Sequence, residues 1–143
     1  RMLINTVSCG GNLLMNVGPT ARGNLDDRAL AALDAYAAWM SLHSRSIYGC
    51  TQSPYEPPVD CRYTQNGDRL YVHVFAWPFR HLHLRGLEGR VAYAQLLHDA
   101  SEICVCRDTC DGRHDWKQPG TLTLELPVQK PCVTVPVIEM FLK

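Results

Sequence analysis

The sequence lacks an excess of either charge: 14 Lys+Arg stand against 14 Asp+Glu over 143 residues, a formal net charge of zero. A nucleic-acid binder neutralises phosphates with a basic stripe or an arginine-rich run, and neither is present, so no nucleic-acid partner is expected. No apolar run approaches the ~18 residues that span a bilayer, so no membrane partner is expected either. The opening RMLINTVSCGG lacks the charged stretch and long apolar core of a secretory leader. It also lacks an initiating Met, and the chain is read as a trimmed product. A Walker loop and a dinucleotide fingerprint are missing, and Ser8 and Ser46 have no neighbouring His–Asp pattern for nucleophilic serine chemistry.

What is present is a core-forming composition. Hydrophobic residues make up 46% of the chain, which suits one domain or one domain with an appendage. The seven cysteines, Cys9, Cys50, Cys61, Cys104, Cys106, Cys110 and Cys132, are an odd number. A secreted disulfide framework shows an even count, so reduced thiols in a reducing compartment, the cytoplasm, are favoured.

Organisation changes along the chain. MLINTVS followed by Gly10-Gly11 predicts a helix end with a glycine C-cap. NLLMNVG, an apolar run between glycines, predicts a buried strand over 12–17, with Leu14 and Asn16 on one side and Met15 on the other. A helix follows over 24–44. Asn24 is read as its N-cap, with Asp26 and Asp27 in the first turn and Leu30, Leu33, Ala37 and Met40 as the buried stripe. CTQSPYEPPVD, with three prolines, predicts an extended linker over 49–60.

Beyond residue 61 the period becomes two. CRYTQ and DRLYVHVFAW flank Asn66-Gly67, a strong hairpin signal read as a two-residue turn with positive φ at both positions. Further strands are predicted at 81–84, 90–97, 102–106, 120–126 and 132–142, with Pro136 demoting part of the last to an edge or bulge. The fold class is therefore α+β: a partial (β/α) segment over 1–48, with one strand and one to two helices, then an antiparallel β-sandwich over 61–143.

INTVSCGGNLLMNVGPTARG, SRSIYG and YTQNGDRLYVHVFAWP together resemble the carboxy-terminal part of family 29 glycoside hydrolases, the α-L-fucosidases. The resemblance runs over residues 2 to about 142 and covers about the final third of a usual family member. It implies that 12–17 stands for the eighth strand of a (β/α)₈ barrel and 24–44 for its eighth helix. It also implies a retaining hydrolase of α-L-fucosides with an aspartate nucleophile and a glutamate acid/base, both on earlier strands. Catalytic groups of such barrels lie at the C-terminal strand ends. Asn16 and the loop VGPTARG would border that face. In this loop Arg22 stands where many family members carry Asp. The expected partners are a fucosylated saccharide or aryl fucoside and, because the other strands are not in this sequence, further copies of the chain or a barrel-bearing partner. The other reading is a non-catalytic structural or sugar-binding module. No cofactor is expected.

Each candidate keeps two readings. Asn16 could bind a sugar hydroxyl or orient a carboxylate, or be a structural amide in its loop. Asp26 and Asp27 are the carboxylates nearest the presumed active face and the weak catalytic candidates, or a pair complementing the helix dipole. His81 and His83 alternate onto one strand face, with His73 on a possible neighbour, and Cys104, Cys106, Cys110 and His114 lie within eleven residues. Two His at i, i+2 can chelate a metal, but the cysteine spacings are not the usual C-x₂-C knuckle. No metal is expected. Histidines at the sandwich surface and reduced thiols are the favoured readings. Trp39, Trp77 and Trp116, with Tyr63, Tyr71 and Tyr93, could offer a stacking platform, or be core and interface residues.

Overall fold

The computed structural model describes residues 1–106 and 119–143. Among these residues two helices, α1 (Met2–Ser8) and α2 (Asp27–His43), lead through a 3-10 turn (Ser44–Ser46) to seven strands. These are β1 (Cys61–Asn66), β2 (Arg69–Val74), β3 (His81–Arg85), β4 (Val91–Leu96), β5 (Cys104–Cys106), β6 (Thr121–Glu125) and β7 (Val137–Leu142). They form one four-stranded sheet, β1-β2-β7-β4, and one three-stranded sheet, β3-β6-β5, every pair antiparallel. The chain is α+β, with a β-sandwich as its larger part. Among the described residues no helix is long and apolar enough to cross a membrane.

Period-two alternation builds the core. Leu70, Val72 and Val74 of β2, Ile138 and Met140 of β7, and Ala94 and Leu96 of β4 point inward from one sheet. Leu82, Leu84, Leu122 and Leu124 meet them from the other. Each such Leu, Val, Ile or Met side chain contributes about 1.5–3 kcal/mol on burial. The central strand β7 is buried on its outer face too, where Val137 and Glu139 lie under the helical segment.

Several expectations shift by small, explicable amounts. The hairpin turn is Gly67-Asp68, not Asn66-Gly67, because Asn66 still pairs with Arg69 as the last residue of β1. Gly67 takes φ +56, and Asn66 does not have positive φ. A glycine at the first central position is the chemistry of a II′ turn. The last strand starts at Val137, after Pro136, whose carbonyl accepts from Val74 N at 3.0 Å. The 49–60 segment lies along the edge of β1, with Thr51 and Gln65 exchanging backbone hydrogen bonds at 2.9 and 3.0 Å.

The helical segment shows larger differences. α1 ends as expected, with Gly11 N donating to Thr6 O and Gly10 N to Val7 O, both at 2.9 Å, and Gly10 at φ +76. That is the paired bonding of a Schellman end. The run 12–17 forms no strand, because no neighbouring strand offers it a ladder. Leu14 is 94% exposed. The N-cap of α2 is Asp26, not Asn24: its carboxylate accepts from Ala29 N at 2.7 Å. The expected stripe is only partly covered. Leu33 and Met40 are half-buried, whereas Leu30 and Ala37 are exposed, and His43 is the buried residue of the helix.

Candidate functional site

The loop joining α1 to α2 carries the candidates. Thr20 N donates to Asn24 O at 2.7 Å and Gly23 N to Thr20 O at 2.9 Å, closing a turn that Gly23 permits at φ +84. Asn16 is exposed on the open stretch before this turn, and Arg22 is exposed within it. Asp26 caps the helix and Asp27 opens it, where carboxylates complement the helix dipole. The two aspartates are thus adjacent and exposed, while no hydrogen bond or ion pair joins Asn16 to either among the described residues.

Around these residues lies apolar surface. Leu14, Met15, Leu25 and Leu30 are exposed, and the outer side of α2 adds Ala31, Ala32, Ala35, Ala37 and Ala38. A helix with apolar residues on two faces has one face too many for a protein surface. The inner face of α2 is accounted for: Leu33, Tyr36, Trp39, Met40 and His43 turn toward the sandwich with burial rising to the C-terminus.

That inner contact is polar as well as apolar. Trp39 Nε1 donates to Val135 O at 2.9 Å, and the indole packs with Ile4, Val7, Ile47 and Val135. Glu139, only 3% exposed, accepts from Arg45 Nη2 at 3.1 Å, Gln95 Nε2 at 2.6 Å and Tyr71 Oη at 3.3 Å. Burial, with the Glu139 carboxylate beside it, pushes the Tyr71 hydroxyl up to about 12. Spacing offered no sign of this network, since Glu139 sits in a run that reads as plain strand.

The histidines divide. His81 and His83 share the exposed face of β3, with rings 6.3 Å apart and His83 Nδ1 3.1 Å from Thr123 Oγ1. His73 is not on a neighbouring strand and not at the surface. It is fully buried on β2 in the other sheet, because α2 covers the outer face there. Cys104 and Cys106 stand opposite Glu125 and Thr123 of β6. Among the described residues no group of three potential ligands is placed to hold a metal ion. Cys110, His114 and Trp116 lie outside the described residues. The other aromatics are structural: Trp77 Nε1 donates to Pro127 O at 2.9 Å, Tyr63 is in the core, and Tyr93 meets Phe141 edge-on at 5.5 Å.

Comparison with known proteins adds a family likeness. A sequence profile described as alpha-L-fucosidase matches residues 1–45. The solved alpha-L-fucosidase isoenzyme 1 of Paenibacillus thiaminolyticus superposes on 100% of this chain with a TM-score of 0.90 and 38% identity. In sequence and fold the chain is similar to the carboxy-terminal part of family 29 α-L-fucosidases. A Bacteroides thetaiotaomicron α-L-fucosidase, solved as a trapped covalent intermediate with 2-fluoro-fucosyl fluoride, matches 98% of the chain at TM-score 0.82 and 26% identity. An alpha-L-fucosidase of Branchiostoma floridae is 36% identical over 83 residues, 54% of this chain. The matched part is 18% of the Branchiostoma protein and 33% of the Paenibacillus chain, so most of each fucosidase lies outside the similarity.

Proposed function

We propose that this chain serves as the carboxy-terminal part of a retaining α-L-fucosidase whose active site is completed by barrel strands packed on its helical segment. Those strands come from a barrel-bearing partner or from further copies of the chain. The observation that carries the reading is the superposition of the whole chain on a third of a solved fucosidase. The exposed Leu14, Met15 and Leu30 supply the physical motive, since they are an apolar surface without cover.

Retention requires two carboxyls about 5–5.5 Å apart, one attacking the anomeric carbon and one protonating the leaving oxygen. In this reading the packed strands bring that pair to the loop after residue 12, and Asn16 hydrogen-bonds a fucose hydroxyl or orients one carboxylate. Asp26 is engaged in capping α2, which leaves Asp27 the freer carboxylate of the two.

The test is release of the aryl group from an aryl α-L-fucoside, by the chain alone and by the chain mixed with a barrel-bearing fucosidase segment. Hydrolysis with retention, lost when Asn16→Ala is introduced, supports the proposal. A well-formed assembly that cleaves no fucoside overturns it in favour of a non-catalytic module, the reading that Asp26's capping role favours.

A further inference from the structure

Behind Trp39 lies a cluster that fucoside hydrolysis does not use. Three histidines from three elements meet there: His43 at the end of α2, His73 on β2, and His98 in the turn after β4. The His43 ring stacks on the Trp39 indole at 4.7 Å and 11°. His98 stacks on His43 at 6.3 Å, and His73 lies tilted 6.2 Å from Trp39.

Each ring has one nitrogen engaged. His43 Nδ1 lies 2.9 Å from the Trp39 carbonyl, so it must donate. His73 Nε2 lies 2.9 Å from Thr64 Oγ1, whose own hydrogen goes to Ser46 O at 2.6 Å, so this nitrogen donates as well. His98 Nε2 is 3.5 Å from Asp99 Oδ2. The other three nitrogens, His43 Nε2, His73 Nδ1 and His98 Nδ1, are sealed from solvent without a partner. A neutral imidazole that donates at one nitrogen carries a bare lone pair at the other. The sites on His43 and His73 are therefore buried with no carboxylate beside them to receive the charge that a proton would bring, and His98 has only Asp99 at the rim.

We propose that this cluster is an acid-released latch. Neutral, it holds the end of α2 and the turn Ser44–Ser46 on the four-stranded sheet; protonated, it releases them from an intact sandwich. The surrounding charges agree with this. Asp99 stands at the rim, one oxygen 3.5 Å from His98 Nε2 and the other accepting from Ser101 N and Oγ. Glu139, on the same sheet face, is already held by Arg45, Gln95 and Tyr71. The amino group of Arg1 and the rings themselves add positive field, so one protonation opposes the next. Burial, reinforced by His98, pulls His43 below its ordinary value, and burial with His43 beside it pulls His73 down to about 3. Among the described residues the sandwich core holds no histidine, so acid acts on the helix–sheet contact first. The proposal is independent of the fucosidase reading.

The test is histidine ¹⁵N NMR together with amide exchange on the full chain, between about pH 7.5 and about pH 4.5, corrected for intrinsic exchange. The expected neutral tautomers are Nδ1–H for His43 and Nε2–H for His73. Protection of amides 40–47 should fall about tenfold or more on acidification, while that of Leu70, Val72, Ile138 and Met140 holds. In His43→Gln the acid-induced loss should shrink. Should that variant fail to fold, His98→Gln at the rim removes the charge that opposes protonation of His43 and should move release to higher pH. Unchanged protection at 40–47, equal loss in the core, or an unshifted release in His98→Gln would each overturn the latch.

Discussion

Leu84 and Leu14 are the same residue at opposite extremes: the first is 0% exposed between two sheets, the second 94% exposed on an unpaired run. The difference lies in what surrounds them. β3, β6 and the facing sheet are all encoded within residues 61–143, so the burial that Leu84 needs is complete within the chain. Leu14 sits in a run equally apolar, but a strand of the buried kind needs neighbours on both edges. The sandwich satisfies itself, whereas the α1–α2 segment satisfies only the face that meets the sandwich.

The largest effect that would test this contrast is a cavity in the self-sufficient half. Leu84→Ala should lower unfolding stability by about 2–5 kcal/mol in urea titration. A loss below about 1 kcal/mol would mean that the sandwich is not the stable unit.

Where the two halves meet, the expected cost is smaller. Glu139→Ala leaves the Gln95 amide and the Tyr71 hydroxyl without their acceptor under the helical segment, at about 1–3 kcal/mol by the same measurement. Arg45, 62% exposed, can turn to water, so its lost ion pair adds little.

Acid should weaken the same junction. His73 is held neutral down to about 3 in the fold, while in the unfolded chain it takes up a proton below about pH 6.5. The unfolded state then binds more protons, so stability is full above that pH and falls as pH drops toward the folded value. By pH 4.5 the loss should reach about 2–3 kcal/mol. A His73→Gln chain should show a flatter stability profile over the same range, and an identical slope would remove His73 as the cause.

Gly67→Val should cost about 1 kcal/mol, from placing a β-branched residue at positive φ. A Cβ at Gly67 meets nothing within 4 Å, so the effect is pure backbone strain. An unchanged midpoint would contradict the Gly67-Asp68 turn.

The two halves also differ in how much of them could be read in the residues. In the sandwich, period-two alternation and the Asn66-Gly67 signal place the strands and the hairpin to within a residue or a few, because local pattern and tertiary burial agree there. Asn24 and Asp26 are both competent caps in one short stretch, and only the reach of the carboxylate to Ala29 N decides between them. His73 looked like a surface residue because alternation places it outward, and nothing local says that α2 covers that face. The run 12–17 forms no strand for a different reason: a strand is defined by its partners, and propensity alone cannot provide them. The resemblance to α-L-fucosidases was legible in GGNLLMNVGPT, a motif whose glycines and apolar run keep their spacing whether or not the neighbours are present.

The smallest effect on the chain alone should be the most informative about its surroundings. Leu14→Asp changes a side chain that touches almost nothing in this fold, so urea stability should move by no more than about 0.5 kcal/mol. If the helical segment is covered by barrel strands in its working form, the same substitution removes a buried leucine worth about 1.5–3 kcal/mol and places a carboxylate in an apolar contact. Association, followed by light scattering or sedimentation, should then weaken by about tenfold or more. Leu30→Asp, on the outer side of α2, should behave alike. A stability loss above about 1 kcal/mol in the isolated chain would place Leu14 inside the chain's own fold and erase the contrast between the halves. Unaltered stability with unaltered association would leave the contrast intact and move the docking surface elsewhere.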